Sequence, residues 1–208
     1  MVEAKKEETK RYEFSNKCVY DGQWSGNRRH GHGVFTWPSG ARYEGNFKND
    51  RREGPGKILY ADKAEYEGEW KGDQRNGKGV YKFPSGAVYE GQFRDDNMHG
   101  YGTFTWTSGA TYEGEWRNNR KDGEGTMTYS DKSVYKGRWV EDKRHGQGNM
   151  KWQNGTSYDG YFEDDKKAGE GEYIWPNGTK YNGNWVDNKR TGTGELTYPD
   201  GSVYVGSF

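Results

Sequence analysis

The chain has 208 residues, 32 basic and 32 acidic side chains for a formal net charge of zero, 29% hydrophobic residues and a mean hydropathy of −1.39. A balanced charge argues against a nucleic-acid-binding surface. A single cysteine, Cys18, excludes a disulfide framework and fits a reducing compartment, and no apolar run is long enough for a membrane-spanning helix. Low hydropathy by itself would indicate disorder, but 16% aromatic residues and 33 glycines argue for a fold whose apolar burial comes from Trp, Tyr and Phe.

The chain opens on Met1-Val2-Glu3-Ala4-Lys5-Lys6, which lacks the apolar core of a signal peptide and the second-position glycine of a myristoylation site. A cytosolic chain is expected. Residues 1–10 read as a charged flexible tail, and the ordered sheet is expected from Arg11 to Phe208. Tyr12 and Phe14, followed by Ser15-Asn16-Lys17-Cys18, form half a repeat ahead of eight full ones.

Tyr20, Tyr43, Tyr66, Tyr89, Tyr112, Tyr135, Tyr158, Tyr181 and Tyr204 then recur every 23 residues without an insertion. Counting each tyrosine as offset 0, glycine stands at offset 2, an aromatic at offset 4, Gly-x-Gly at offsets 11 and 13, and an aromatic again at offset 17. Alternation with period two marks strands. In Tyr112-Glu113-Gly114-Glu115-Trp116, Tyr, Gly and Trp share one face and the glutamates the other. Gly123 to Tyr129 repeats the pattern, so each repeat holds two strands. Of 34 aromatic residues, 32 fall at offsets 0, 4, 15 or 17, all on one face; Tyr101 and Tyr161 are the exceptions.

The connections are legible too. Asn154-Gly155, Asn177-Gly178 and Asp200-Gly201 read as two-residue hairpin turns, with Ser-Gly in the same slot elsewhere and Lys63 and Lys132 as costlier substitutes. The other connection, as in Lys48 to Glu53, reads as a solvated loop of six residues. The final half repeat ends at Phe208 on an uncapped edge, which a partner, a second copy or further chain would cover. The fold class expected is all-β: an elongated single-layer antiparallel meander of two-stranded repeats, twisted into a curved trough or coil.

The unit Tyr-Glu-Gly-Glu-Trp followed by Gly-x-Gly at a 23-residue period resembles the MORN (membrane occupation and recognition nexus) repeat, over residues 12–208. Departures are Phe at three internal offset-4 positions and Lys136, Asn182 and Val205 in place of the offset-1 acid. The resemblance implies a curved antiparallel sheet with a groove. It also implies an adaptor role, as in cytoskeletal and ciliary scaffolds such as radial-spoke head proteins.

No residue grouping suggests catalysis, and the chain is read as a non-enzyme with no cofactor. His30 and His32 lack a third nearby ligand, His99 and His145 lie repeats away, and Cys18 has no adjacent base. Gly-x-Gly is followed by strand pattern and not by a helix, which speaks against a phosphate loop. The expected function is a protein-binding scaffold in a cytoskeletal or axonemal assembly, docking helices or peptides on a concave aromatic face. Tyr66, Trp70, Tyr89, Phe93, Tyr112, Trp116, Tyr135 and Trp139 are the expected anchors. The alternative readings are a peripheral membrane or phosphoinositide-binding module and a targeting segment of a larger enzyme. The membrane reading rests on a cationic line of Arg28, Arg29, Arg51, Arg52, Lys143, Arg144, Lys166 and Lys167. Acids at offset 7 partly cancel it.

Overall fold

A computed structural model describes residues 7–208 of the chain. These residues form 18 strands and, among the described residues, no helix. They divide into two compact units, up to Phe104 and from Thr105 onward. In the first unit the strands are β1 (Glu7–Glu13), β2 (Val19–Ser25), β3 (Arg28–Thr36), β4 (Arg42–Lys48), β5 (Arg51–Leu59), β6 (Glu65–Lys71), β7 (Gln74–Lys82), β8 (Val88–Arg94) and β9 (Asn97–Thr105). In the second they are β10 (Thr111–Arg117), β11 (Arg120–Thr128), β12 (Val134–Val140), β13 (Lys143–Lys151), β14 (Ser157–Glu163), β15 (Lys166–Ile174), β16 (Lys180–Val186), β17 (Lys189–Thr197) and β18 (Val203–Ser207). Each unit is an antiparallel meander of consecutive strands.

Three expectations are corrected. The sheet begins at Glu7 and not at Arg11, because β1 pairs with β2 from Glu7 opposite Ser25 to Glu13 opposite Val19. The expected tail is thus strand from Glu7 on, and its first six residues lie outside the described residues. The expected six-residue loop is a two-residue hairpin: Lys48 pairs with Arg51, and Asn49 and Asp50 both take left-handed φ, 50° and 72°. Asn, Asp and Gly tolerate that conformation, which matches the twist of the flanking strands. The expected two-residue Asn-Gly turn is a three-residue loop. Trp152 accepts from the Gly155 N–H at 3.0 Å and donates to the Thr156 carbonyl at 2.9 Å. Gly155 supplies the left-handed residue at φ 88°. Lys63 and Lys132 hold the same conformation at φ 74° and 71°.

The two glycines of Gly-x-Gly serve different ends. The offset-11 glycine, Gly123 in β11, has φ 116° and sits in a bulge, where the register skips between Gly114 opposite Gly125 and Trp116 opposite Lys121. The offset-13 glycine, Gly125, lies under the Tyr112 ring. Across the strands Gly114 faces it so closely that a Cβ there would stand 2.5 Å from the Gly125 Cα and 2.6 Å from the Glu124 carbonyl oxygen.

The core follows from that clearance. The tyrosine at offset 0 folds over its glycine pair and donates its hydroxyl to the backbone carbonyl three residues on, as Tyr66 does to Glu69 at 2.8 Å. Its ring meets the offset-4 aromatic of its own repeat and that of the next. Tyr135, for example, meets Trp139 and Phe162 edge-on at 5.2 and 5.1 Å. Such pairs contribute about 0.5–1.5 kcal/mol each beyond area burial. The tryptophans add a hydrogen bond from Nε1 to the offset-13 carbonyl of the repeat before, Trp70 to Gly56 and Trp185 to Gly171, both at 3.1 Å. A buried small residue closes six of the repeats, Ala64, Ala87, Ala110, Ser133, Thr156 and Thr179.

Candidate partner-binding surfaces

The aromatic face is occupied by its own packing. Tyr66, Tyr89, Tyr112 and Tyr135 are 0% exposed, and Trp70, Phe93, Trp116 and Trp139 between 2% and 5%. These eight residues, expected as docking anchors, are therefore core. Each ring surface a partner would need already carries a neighbouring ring, and in several repeats a cation as well: Arg52 lies 4.1 Å from the Trp70 centroid and Lys121 4.1 Å from that of Trp139. Accessible surface on this face includes the half-buried row at offset 17, such as Trp37, Tyr60, Trp152 and Trp175, and half-buried offset-15 rings such as Tyr81 and Tyr173.

The expected cationic line is also divided. Its residue pairs stand at strand starts and not in a loop, so successive side chains point to opposite faces. Arg28, Arg51, Lys143 and Lys166 are exposed, whereas Arg29, Arg52, Arg144 and Lys167 turn onto the aromatic face. There, Arg29, Arg52, Arg75 and Arg144 are only 19–21% exposed and pair with Asp50, Asp73, Asp96 and Asp165 of the following hairpin at 3.0–3.3 Å. Each of these aspartates also accepts the backbone N–H of its arginine. The offset-7 acid is therefore a structural counter-ion, not a diffuse screen.

On the opposite, polar face the first unit carries an open groove of about 920 Å³. Its floor is the backbone of paired glycines, Gly45 and Gly56, Gly68 and Gly79, Gly91 and Gly102. One wall holds Glu44, Lys57, Glu67, Val80 and Glu90; the other holds His32, Asn46, Pro55, Glu69, Lys78, Gln92 and Tyr101. Lys57 ties its wall together through Glu65 at 3.1 Å and Glu67 at 3.3 Å. Those bridges hold the Lys57 ammonium above its usual range, and hydrogen bonds from Lys82 first and then Lys57 hold the Glu65 carboxyl below its own. Sequence reasoning passed over this groove. The signal was Tyr101, which breaks the aromatic pattern and stands 54% exposed on the polar face, as Tyr161 does at 53% in the second unit.

Among the described residues no group of three or more His, Cys, Asp or Glu side chains is placed to hold a metal ion. His32 lines the groove, and Cys18 is buried in the first turn. Eight consecutive matches to the MORN-repeat family model cover residues 20–42, 43–64, 66–88, 89–111, 112–134, 135–157, 158–180 and 181–203. The chain belongs to the MORN-repeat family. The matching family is a repeat and not a catalytic domain. A search of curated protein sequences gives no match. Among solved structures, the MORN-repeat chain is similar to the wild-type TCP10 domain of CPAP from Danio rerio, with TM-score 0.53 and 14% identity over 95% of this chain and 94% of that one. It is also similar to the same domain in complex with a peptide of Danio rerio STIL, with TM-score 0.51 and 11% identity over 96% of this chain and 84% of that one. At these identities the likeness is one of fold.

Proposed function

We propose that this MORN-repeat chain is a non-enzymatic protein-binding scaffold that receives an extended partner segment in the polar-face groove of its first unit. The observation that carries the reading is the groove itself: about 920 Å³, floored by side-chain-free glycine backbone and walled by regularly spaced charged groups and Tyr101. Such a channel admits a peptide main chain close to the sheet while its side chains meet the walls. The TCP10 structure with a STIL peptide supports the reading by analogy of fold. A cytoskeletal or ciliary setting is part of the proposal and rests on the family resemblance. The membrane reading loses its main support, because half of the cationic line is stacked on rings and largely paired with aspartates.

A photo-crosslinking residue at Val80, on the groove wall, tests the site. It is expected to label a discrete partner in cells, whereas the same residue at Trp37 on the aromatic face does not. Equal labelling from both positions, or none from Val80, overturns the groove assignment. Detergent extraction of cells expressing the tagged chain tests the setting: retention in the resistant pellet is expected, and release from a membrane pool would restore the lipid reading.

A further inference from the structure

The ladder of offset-9 cations and offset-7 acids has one break in charge. Arg29, Arg52, Arg75 and Arg144 each carry an aspartate from the next hairpin, and Lys121 has Asp142 on its backbone N–H at 2.9 Å. At the corresponding positions Met98 and Asn119 are both neutral. Among the offset-9 positions that have an offset-7 residue of the next repeat opposite them, Lys167 alone keeps the cation while the acid is lost, because Asn188 stands where the aspartate belongs. Asn188 preserves the structural half of the contact, accepting the Lys167 N–H through Oδ1 at 2.9 Å. It also keeps the left-handed turn conformation at φ 68°. What it removes is the charge.

The Lys167 ammonium is thereby left with rings alone. Its Nζ lies 4.3 Å from the Trp185 centroid, 4.4 Å from Tyr173, 5.6 Å from Tyr158 and 6.0 Å from Trp152. No ion pair or hydrogen-bond acceptor reaches it among the described residues. Burial, and after it the neighbouring Arg144 charge, hold the ammonium below its ordinary range. Asp187 is close in sequence but is bound to Lys166 at 2.7 Å. Beside Lys167 opens a depression of about 480 Å³ lined by Trp175, Trp185, Asn188, Lys189 and Arg190.

We infer that Lys167 is the seat of a carboxylate-binding site for an acidic peptide segment of a partner, an aspartate or glutamate side chain completing the ion pair that the fold completes internally at Arg29, Arg52, Arg75 and Arg144. The arginine rungs show that a carboxylate can stand against the offset-9 cation. With the Asn188 amide on the Lys167 N–H, an incoming carboxylate would reach the ammonium from the depression, where half-buried Trp175 offers an apolar surface to the residue beside it. The inference rests on the scaffold reading, while placing this contact in the second unit, away from the groove.

The test compares the chain with its Asn188→Asp variant, using an acetylated pentapeptide of alternating glutamate and phenylalanine and its glutamine counterpart as probes in calorimetric titrations. The parent is expected to bind the glutamate peptide at least about tenfold more tightly than the glutamine peptide, roughly one charge-assisted contact. Asn188→Asp, which supplies the internal counter-ion, is expected to erase that difference. Equal binding of the two peptides by the parent, no binding of either, or an Asn188→Asp variant that keeps the preference overturns the site. Displacement by inorganic phosphate but not by acetate, or binding to phosphatidylserine vesicles that Asn188→Asp abolishes while peptide binding is absent, overturns the carboxylate assignment in favour of a phosphate group or a membrane. Labelling from Val80 that persists when this site fails leaves the scaffold reading standing.

Discussion

The offset-0 tyrosine is the residue on which each repeat turns. Its ring lies over two glycines, its hydroxyl is satisfied by a backbone carbonyl, and its faces and edges meet two further aromatics. Burial raises the phenols of Tyr20, to about 12, and of Tyr43, Tyr66, Tyr89, Tyr135, Tyr158 and Tyr181 above their ordinary value. A raised folded value means that stability is fully present below the unfolded value, near ~10, and is lost as pH rises through the folded ones. The sheet is expected to unfold steeply above pH ~10, with tyrosinate absorbance and loss of β circular dichroism rising together. Tyrosines that ionise near their ordinary value with the sheet intact would contradict this. Turn residues give a second prediction. Lys63 and Lys132 hold a conformation that a β-carbon makes costly, so Lys63→Gly is expected to stabilise the chain by about 0.5–1 kcal/mol in urea unfolding. A lowered urea midpoint would show that the Lys63 stem makes a compensating contact.

A strand pair here is held by clearance as much as by attraction. Because Gly114 and Gly125 face each other, any side chain at Gly114 meets backbone, which has no room to yield. Gly114→Val is expected to cost about 3 kcal/mol, against about 1 kcal/mol for Gly109→Ala in an open turn. A thermal melt of Gly114→Val that matches the parent would refute the packing account. The period-two pattern made the strands and their buried face legible, since each Tyr-x-Gly-x-aromatic segment can bury one side only. The hairpins were not legible in the same way. Lys48-Asn49-Asp50-Arg51 reads equally as polar loop or as strand and turn, and only pairing to Lys48 and Arg51 shows which. That misreading carried over to the basic dipeptides: in a loop both residues face solvent, in a strand they part.

At the scale of the whole molecule, the extensive strand–strand contacts all join consecutive strands. Stability should therefore be close to a sum of repeat terms and nearest-neighbour interfaces. Deleting residues 135–157, one matched repeat, leaves the register of the flanking strands unchanged. The shortened chain is expected to remain folded, with native-like circular dichroism and a modestly lower urea midpoint. Global unfolding on deletion would mean that longer-range coupling holds the sheet.

The sequence by itself determined the period, the strand pattern, the aromatic face and the glycine positions, because each depends on spacing along one chain. It also marked Tyr101 and Tyr161 as breaks in the aromatic pattern, although not what the breaks do. The tertiary structure decided that the offset-0 and offset-4 aromatics are core, that the cations divide between two faces, and that the open groove lies on the polar side. Those outcomes depend on rings, cations and hairpins from successive repeats meeting across strands, a relation between residues 21 to 27 positions apart that alternation within one strand does not encode.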